Sequence, residues 1–310
     1  MIGESYLLGI DAGGTHTICL LADQEERILG RGEAGAANVS AVGLSAAVAA
    51  IGQAVAAAWQ AAGLTARPAT LACLGVAGGD RPQEKEALEA ALAPLGIAAR
   101  LWVVPDALIA LAAASREVIG VVIIAGTGSI AWGRNRQGDT RRAGGWGYIL
   151  GDEGSAFDIG LSALRAAVRA HDGRGQPTAL TDLLVAHWAL SQPEDLRSVV
   201  YGGSYPRLQI AALAPVVERA ARQGDAVARR LYAQAADELA LAAKTVIVGL
   251  GMQAEAVPVA LSGGVFQAGE LIIEPLIRSL RAVAPHAQIA RLEQEPAMGA
   301  VHLAAQERSA

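Results

Sequence analysis

The sequence predicts an α/β protein of two similar lobes, with a helical insertion in the second. Three observations carry this. Strand and helix patterns follow the order β-β-β-α-β-α-β-α, and the order then restarts with an extra run of helices. Each copy opens on a strand, a glycine turn and a returning strand, the signature of an antiparallel meander. Three strands end on small residues, Gly13-Gly14, Gly126-Thr127-Gly128 and Gly263-Gly264. In open α/β sheets such ends face the crevice where ligands bind.

In chain order, residues 6–11 read as a strand, 17–22 as its return and 27–33 as a third strand after the D-Q-E-E turn. Residues 41–62, rich in alanine, predict one long helix. Residues 70–76 are a strand running into A-G-G-D, and 82–94 a helix with proline in its first turn. Residues 100–104 are a strand closed by Pro105-Asp106, and 107–115 a helix. The pattern restarts with strands at 118–125, 130–134 and 140–143. Helices follow at 156–171, 178–190 and 226–249, then a strand at 257–261, a helix at 270–283, a strand at 288–292 and a last helix at 297–306. The boundary between lobes is expected near 115–118, giving lobes of 1–115 and 116–310, with the last helix packing back on the first lobe.

Composition narrows the function classes. With 310 residues, 53% hydrophobic and 18% charged, each half can bury its own core. A net charge of -5 leaves no electrostatic surplus for a nucleic-acid backbone. Cys19 and Cys73 belong to no C-x-x-C pair, which suits a reducing cytoplasm and gives no disulfide framework. The five histidines form no zinc-binding spacing. The opening residues lack the basic stretch of a secretory signal. Residues 44–64 contain Gln53 and Gln60 and read as a half-buried helix, not a membrane span. Glycine makes up 36 of the 310 residues, an excess that gathers where backbone must approach something closely.

Five motifs carry chemistry. Asp11-Ala-Gly-Gly-Thr-His-Thr17 leaves a buried strand and offers a carboxylate, bare backbone N–H groups and a hydroxyl. Such N–H groups suit a phosphate chain, and the carboxylate suits Mg²⁺ held largely through water. A plain hairpin turn is the equal alternative. Gly126-Thr127-Gly128-Ser129 repeats the theme in the second lobe. It is no dinucleotide fingerprint, because S-I-A-W-G-R and a hairpin follow instead of a helix. No Walker loop exists, since neither Lys85 nor Lys244 follows a glycine. Asp106 heads a helix, where capping is the simpler reading; it also stands where a carboxylate can take a proton from a hydroxyl. Gly144-Gly-Trp-Gly-Tyr-Ile-Leu-Gly-Asp152-Glu153-Gly-Ser155 sets five glycines around two adjacent acids, at a cost in chain entropy that an ordinary loop does not need. Its carboxylates suit neighbouring sugar hydroxyls or a metal, while Asp152 or Ser155 could instead cap the next helix. Ser262-Gly263-Gly264-Val265 gives bare backbone for a flat adenine or ribose. Asn38 offers an amide to a ligand, or is a turn residue.

The ordered set D-A-G-G-T, A-G-T-G-S, G-G-W-G-Y-I-L-G-D-E-G-S and S-G-G-V resembles the actin/hexokinase/heat-shock ATPase superfamily. Within it, the chain is most similar to the BadF/BadG/BcrA/BcrD family, to its N-acetylglucosamine kinase and glucosamine kinase members, from residue 7 to about 304. The resemblance implies an actin-like ATPase (ribonuclease H-like) fold and ATP-dependent phosphorylation of an amino sugar. N-acetyl-D-glucosamine at O6 is the first expectation, with glucosamine and N-acetylmuramic acid as alternatives.

It further implies these roles. Asp106 is the catalytic base. Asn38, Gly78, Gly79, Asp106, Gly145, Trp146, Asp152 and Glu153 meet the sugar. Gly13, Gly14 and Thr15 form one phosphate hairpin, with Asp11 near Mg²⁺; Gly126, Thr127, Gly128 and Ser129 form the other. Gly263 and Gly264 fall at the adenosine site. The first lobe holds sugar and phosphate, the second nucleotide. His16 stands where many sugar kinases carry Lys or Arg, so no fixed cation is expected beside the phosphates. A cytoplasmic homodimer acting on ATP and a small amino sugar, with no membrane or nucleic-acid partner, is expected. Two rival readings are an activator ATPase of a 2-hydroxyacyl-CoA dehydratase, which holds an iron–sulfur cluster through cysteines, and a non-catalytic sugar sensor. No helix-turn-helix precedes residue 6 to support the latter.

Overall fold

A computed structural model describes residues 5–77, 81–202 and 206–309. Aliphatic runs bounded by glycine and polar turns give the first meander: β1 (Leu7–Ala12), β2 (Thr17–Ala22) and β3 (Ile28–Ala34). The turn before β3 is held by Asp23, whose carboxylate accepts the N–H groups of Glu25 and Arg27. β4 (Ala69–Val76) and β5 (Ala98–Pro105) add in parallel on the far side of β1, so the sheet order is β3-β2-β1-β4-β5. β1 and β4 are central and read as nearly unbroken apolar runs, as strands covered on both faces do.

The long helix expected over 41–62 is two helices, α1 (Val39–Val42) and α2 (Leu44–Ala61). The break is Gly43, whose φ of 81° no helix tolerates and glycine adopts freely. By length and composition α2 could cross a membrane. Instead, Ala47, Ile51, Ala54, Ala58 and Trp59 are buried on β2 and β3, and Trp59 meets Tyr6 edge-on at 5.1 Å. Burying Ile51 alone contributes about 1.5–3 kcal/mol. α3 (Pro82–Leu92) starts on its proline and ends in a 3-10 turn, Ala93–Leu95; α4 (Asp106–Ala114) follows β5 directly.

The second sheet repeats the plan. β6 (Gly120–Ala125), β7 (Ser129–Arg134) and β8 (Thr140–Gly144) form the meander, and β9 (Pro258–Ser262) and β10 (Gln288–Arg291) add in parallel. The order, β8-β7-β6-β9-β10, is that of the first sheet. Among the described residues, six α-helices separate β8 from β9: α5 (Ala156–His171), α6 (Leu180–His187), α7 (Leu196–Gly202), α8 (Pro206–Ala211), α9 (Ala214–Arg222) and α10 (Ala226–Gly249). α7, α8 and α9 lie in stretches where the sequence indicated no helix bounds. α11 (Glu270–Arg281) joins β9 to β10, and α12 (Pro296–Ser309) follows.

The chain divides into two units, one of residues up to Ile119 together with those from Leu292 onward, the other of Gly120–Arg291. α12 therefore belongs to the first unit, on β1 and α4. Glycines permit this approach. A Cβ on Gly299 would stand 1.9 Å from the Ile109 carbonyl oxygen, and one on Gly9 2.3 Å from that of Ala297. Buried His302 on α12 is paired with Glu26 of the β2–β3 turn, and Glu26 also takes Arg116 at 3.2 Å.

Candidate active site

In the first unit three parallel strands end level with one another. Ala12 lies opposite Val76, and Val76 opposite Pro105. The Gly13 turn and Asp106 therefore leave the same edge of the sheet. Asp106 is not the N-cap that its position suggested. β5 runs into the helix through Pro105, which takes the cap position and leaves Asp106 as the first helical residue. Its Oδ1 accepts the Ala107 N–H at 2.8 Å. Asp11 sits one residue before the strand end. Burial, then the negative charges of Asp106 and Glu295, push its carboxyl up to about 7. Glu295 is itself gripped by Arg31 at 2.9 and 3.1 Å. Glu295 is a neighbour that the sequence reading missed; nothing in E-P-A-M-G separates it from an ordinary helix start.

The first glycine turn is tied to the segment after β3. Gly13 donates its N–H to the His16 carbonyl at 3.1 Å, and its own carbonyl accepts the Ala37 N–H at 3.0 Å. The Thr17 hydroxyl donates to the Gly35 carbonyl at 2.8 Å. These bonds bring Asn38 to the turn. Its Oδ1 is buried and has no hydrogen-bond partner among the described residues. A buried acceptor left open costs about 1–3 kcal/mol, so it points to a donor supplied by a ligand. Gly14, Thr15 and His16 are exposed, and a Cβ on Gly14 would meet nothing within 4 Å. Gly78 and Gly79 lie outside the described residues.

In the second unit the hairpin after β6 closes through the Gly126 N–H and the Gly128 carbonyl at 2.9 Å. The loop over 144–155 wraps it. The Gly145 N–H donates to the Ser129 carbonyl at 3.0 Å, the Ser129 hydroxyl to the Glu153 carbonyl at 2.7 Å, and the Ala156 N–H to the Gly126 carbonyl at 2.8 Å. Ile124 of β6 lies opposite Ser262, so Gly263 leaves beside the same hairpin. Gly263 has φ 107°, and a Cβ there would stand 2.4 Å from the Ala125 carbonyl oxygen. Thr127, Gly128, Gly145, Gly263 and Gly264 thus gather at one edge.

Asp152 joins them. It is buried, holds a left-handed φ of 62°, and accepts the Ser129 N–H at 3.2 Å and Arg207 Nη2 at 3.0 Å. A Cβ on Gly128 would come within 2.7 Å of its carboxylate. Burial pushes its pKa up, while the Ser129 N–H and Arg207 oppose that. Asp152 does not cap α5. Ser155 does, accepting the Asp158 N–H at 3.2 Å, and Asp158 in turn accepts the Gly154 N–H at 3.0 Å. The Trp146 and Glu153 side chains lie at the exposed rim: Trp146 is 64% exposed beneath Arg142, and Glu153 is exposed while its backbone carbonyl takes the Ser129 hydroxyl. Arg207 and Tyr148, 5.3 Å from the guanidinium to the ring centre, were missed, because Arg207 stands 55 residues from Asp152 without a periodic signal.

Chemically, the first unit offers paired acids beside bare backbone, and the second a glycine hairpin beside one buried acid that the Ser129 N–H and Arg207 hold. Among the described residues no three His, Cys, Asp or Glu side chains form a metal cage. The single hard carboxylate of Asp11, crowded by two other acids, fits a Mg²⁺ that keeps water and phosphate oxygens as its remaining ligands. Cys19 and Cys73 are fully buried in β2 and β4, and burial pushes both thiols up.

Known proteins resemble this chain over nearly its whole length. An N-acetylmuramic acid/N-acetylglucosamine kinase of Clostridium acetobutylicum is 33% identical over 302 residues, covering 97% of this chain and 99% of the relative. An N-acetyl-D-glucosamine kinase of Dictyostelium discoideum is 32% identical over 314 residues, covering 98% of each. A crystal structure from Chromobacterium violaceum, provisionally named N-acetylglucosamine kinase, superposes with a TM-score of 0.80 at 31% identity, covering 98% of this chain and 99% of that one. The duplicated sheets are those of an actin-like ATPase. With the family model matching residues 8–304, the chain belongs to the BadF/BadG/BcrA/BcrD ATPase family.

Proposed function

We propose that this protein is an ATP-dependent kinase of amino sugars, acting first on N-acetyl-D-glucosamine at O6. The observation that carries the reading is Asp106, a half-buried carboxylate at the level ends of β1, β4 and β5 and near enough to Asp11 to raise its pKa. The unpartnered Asn38 amide oxygen supports a ligand rich in donors, as a sugar is. The names of the Clostridium and Dictyostelium relatives favour N-acetylated hexosamines, and the former keeps N-acetylmuramic acid as a second substrate.

In this mechanism Asp106 accepts the proton of the sugar hydroxyl as that oxygen attacks the γ-phosphorus in line. The bond from phosphorus to the β-bridging oxygen breaks, and ADP leaves with the electron pair. Backbone N–H groups of Gly14 and Thr15, and of Thr127 and Gly128, receive the phosphate oxygens, while those of Gly13, Gly126 and Ser129 hold the two turns in shape. Mg²⁺ near Asp11 would neutralise charge on those oxygens. Asn38, Gly145 and Asp152 hold the sugar, with Trp146 and Glu153 in support, and Gly263 and Gly264 take the adenosine. Two buried, unpaired cysteines fit a reducing, cytoplasmic setting.

The test is a coupled ADP-release assay over N-acetylglucosamine, glucosamine, N-acetylmuramic acid and glucose, with and without Mg²⁺. The reading expects release stimulated by an N-acetylated amino sugar and dependent on Mg²⁺. Equal ADP release with and without every sugar would contradict it.

A further inference from the structure

We propose that Arg207, on the inserted helix α8, is a positioning residue that holds the Asp152 carboxylate in place as an anion for the sugar. The inference rests on the reading that Asp152 contacts the sugar.

The geometry is specific. Asp152 has a 4% exposed side chain and two fixed donors, the Ser129 N–H on Oδ1 and Arg207 Nη2 on Oδ2. Gly128 leaves no room on its other flank. The charged groups around it are few. Arg207 comes from α8 and Glu153 from the adjoining loop position; Asp158 of α5 is occupied by the Gly154 N–H. Arg207 is thus the one cation bonded to Asp152 among the described residues.

Arg207 itself does not look like a packing element. Its side chain is 35% exposed, it lies over the Tyr148 ring at 5.3 Å, and Tyr148 packs edge-on against Phe157 at 5.2 Å. Its Nε is buried and has no hydrogen-bond partner among the described residues. An arginine kept for hydrogen-bond satisfaction would use that donor. One kept for charge needs only the ion pair. α8 also belongs to the helical run that the first unit lacks, so this cation is added to the duplicated plan and not inherited from it. Without Arg207, Asp152 would be a buried carboxylate with a single backbone donor, a state that favours protonation. A protonated Asp152 can no longer accept two hydroxyl hydrogen bonds.

The experiment measures binding of N-acetylglucosamine to the full chain by calorimetry, without nucleotide, across pH. Arg207→Gln should weaken binding roughly tenfold near pH 6 and less than about threefold near pH 8, while Arg207→Lys stays close to the parent at both. Arg207→Met, which keeps the stem against Tyr148, replaces the Gln variant if that fails to fold. Equal weakening at both pH values indicates a merely structural role and overturns the inference, as does no weakening. Asp152→Asn separates the two levels. If it binds the sugar as tightly as the parent, the sugar reading of Asp152 fails and takes the inference with it. If it weakens binding while Arg207→Gln does not, only the inference fails.

Discussion

Asp11 shows how one side chain links the site to stability. Its folded carboxyl is pushed up to about 7 from an ordinary 3.8. The folded state therefore binds that proton more tightly than the unfolded chain does. Stability should fall as pH rises through the interval between those values, with the full loss above it. Asp11→Asn, melted without nucleotide or Mg²⁺, should gain as much as roughly 4 kcal/mol over the parent near pH 8 and nothing near pH 3. A parent and variant that melt together at every pH would remove the buried-acid account. Asp106 should behave differently. Asp106→Asn should fold at least as stably as the parent, since it removes a charge that repels Asp11, and lose about a hundredfold or more in sugar phosphorylation. Asn38→Ala should raise the KM for the sugar about tenfold without destabilising the free protein, because the lost carbonyl was an unpaired buried acceptor. Of these residues, Asp106 was legible as an acid at a strand end, and Asp11 as an acid before paired glycines. The repulsion between them was not, because it depends on three strands ending level, a matter of sheet register that no local pattern encodes.

At the scale of elements, the close contacts are made by what is missing from glycine. α12 lies on β1 and α4 with backbone nearly touching backbone at Gly9 and Gly299. Gly299→Val should cost about 3 kcal/mol or more, read as a drop in melting temperature, since the carbonyl it would strike cannot move as a side chain can. Strand positions were readable because aliphatic runs stop at glycine and polar turns, and α5 and α10 have the bounds that the periodicity predicts. The break at Gly43 was not readable, because a glycine inside an alanine-rich pattern looks tolerable until its φ is known. α7, α8 and α9 escaped for another reason. They are short, and α9 starts after Leu213 without a side-chain capping bond. Asp152 was singled out as an acid in a glycine-rich loop, yet its contacts with Gly128 and Arg207 were not legible, because only the folded chain brings them to it.

At the scale of the whole molecule, the repeated sheet order explains why the chemistry comes as two sets of glycine turns. The two units differ in how the chain builds them. One is continuous, Gly120–Arg291, and the other takes its last helix from beyond Leu292. Residues 120–291 expressed alone should unfold cooperatively, whereas residues 1–119 alone should not, because the face of β1 and α4 that α12 covers would be bare. Cooperative folding of 1–119 by itself would contradict that division. The identity of the phosphorylated product decides whether the γ-phosphoryl group goes to the sugar. ATP, Mg²⁺ and N-acetylglucosamine incubated with the protein should give ADP and one phosphate ester whose ³¹P resonance couples to the two C6 protons, and the Asp106→Asn variant should give almost none. Inorganic phosphate in place of the ester, or the same ester yield from the variant, would contradict the account.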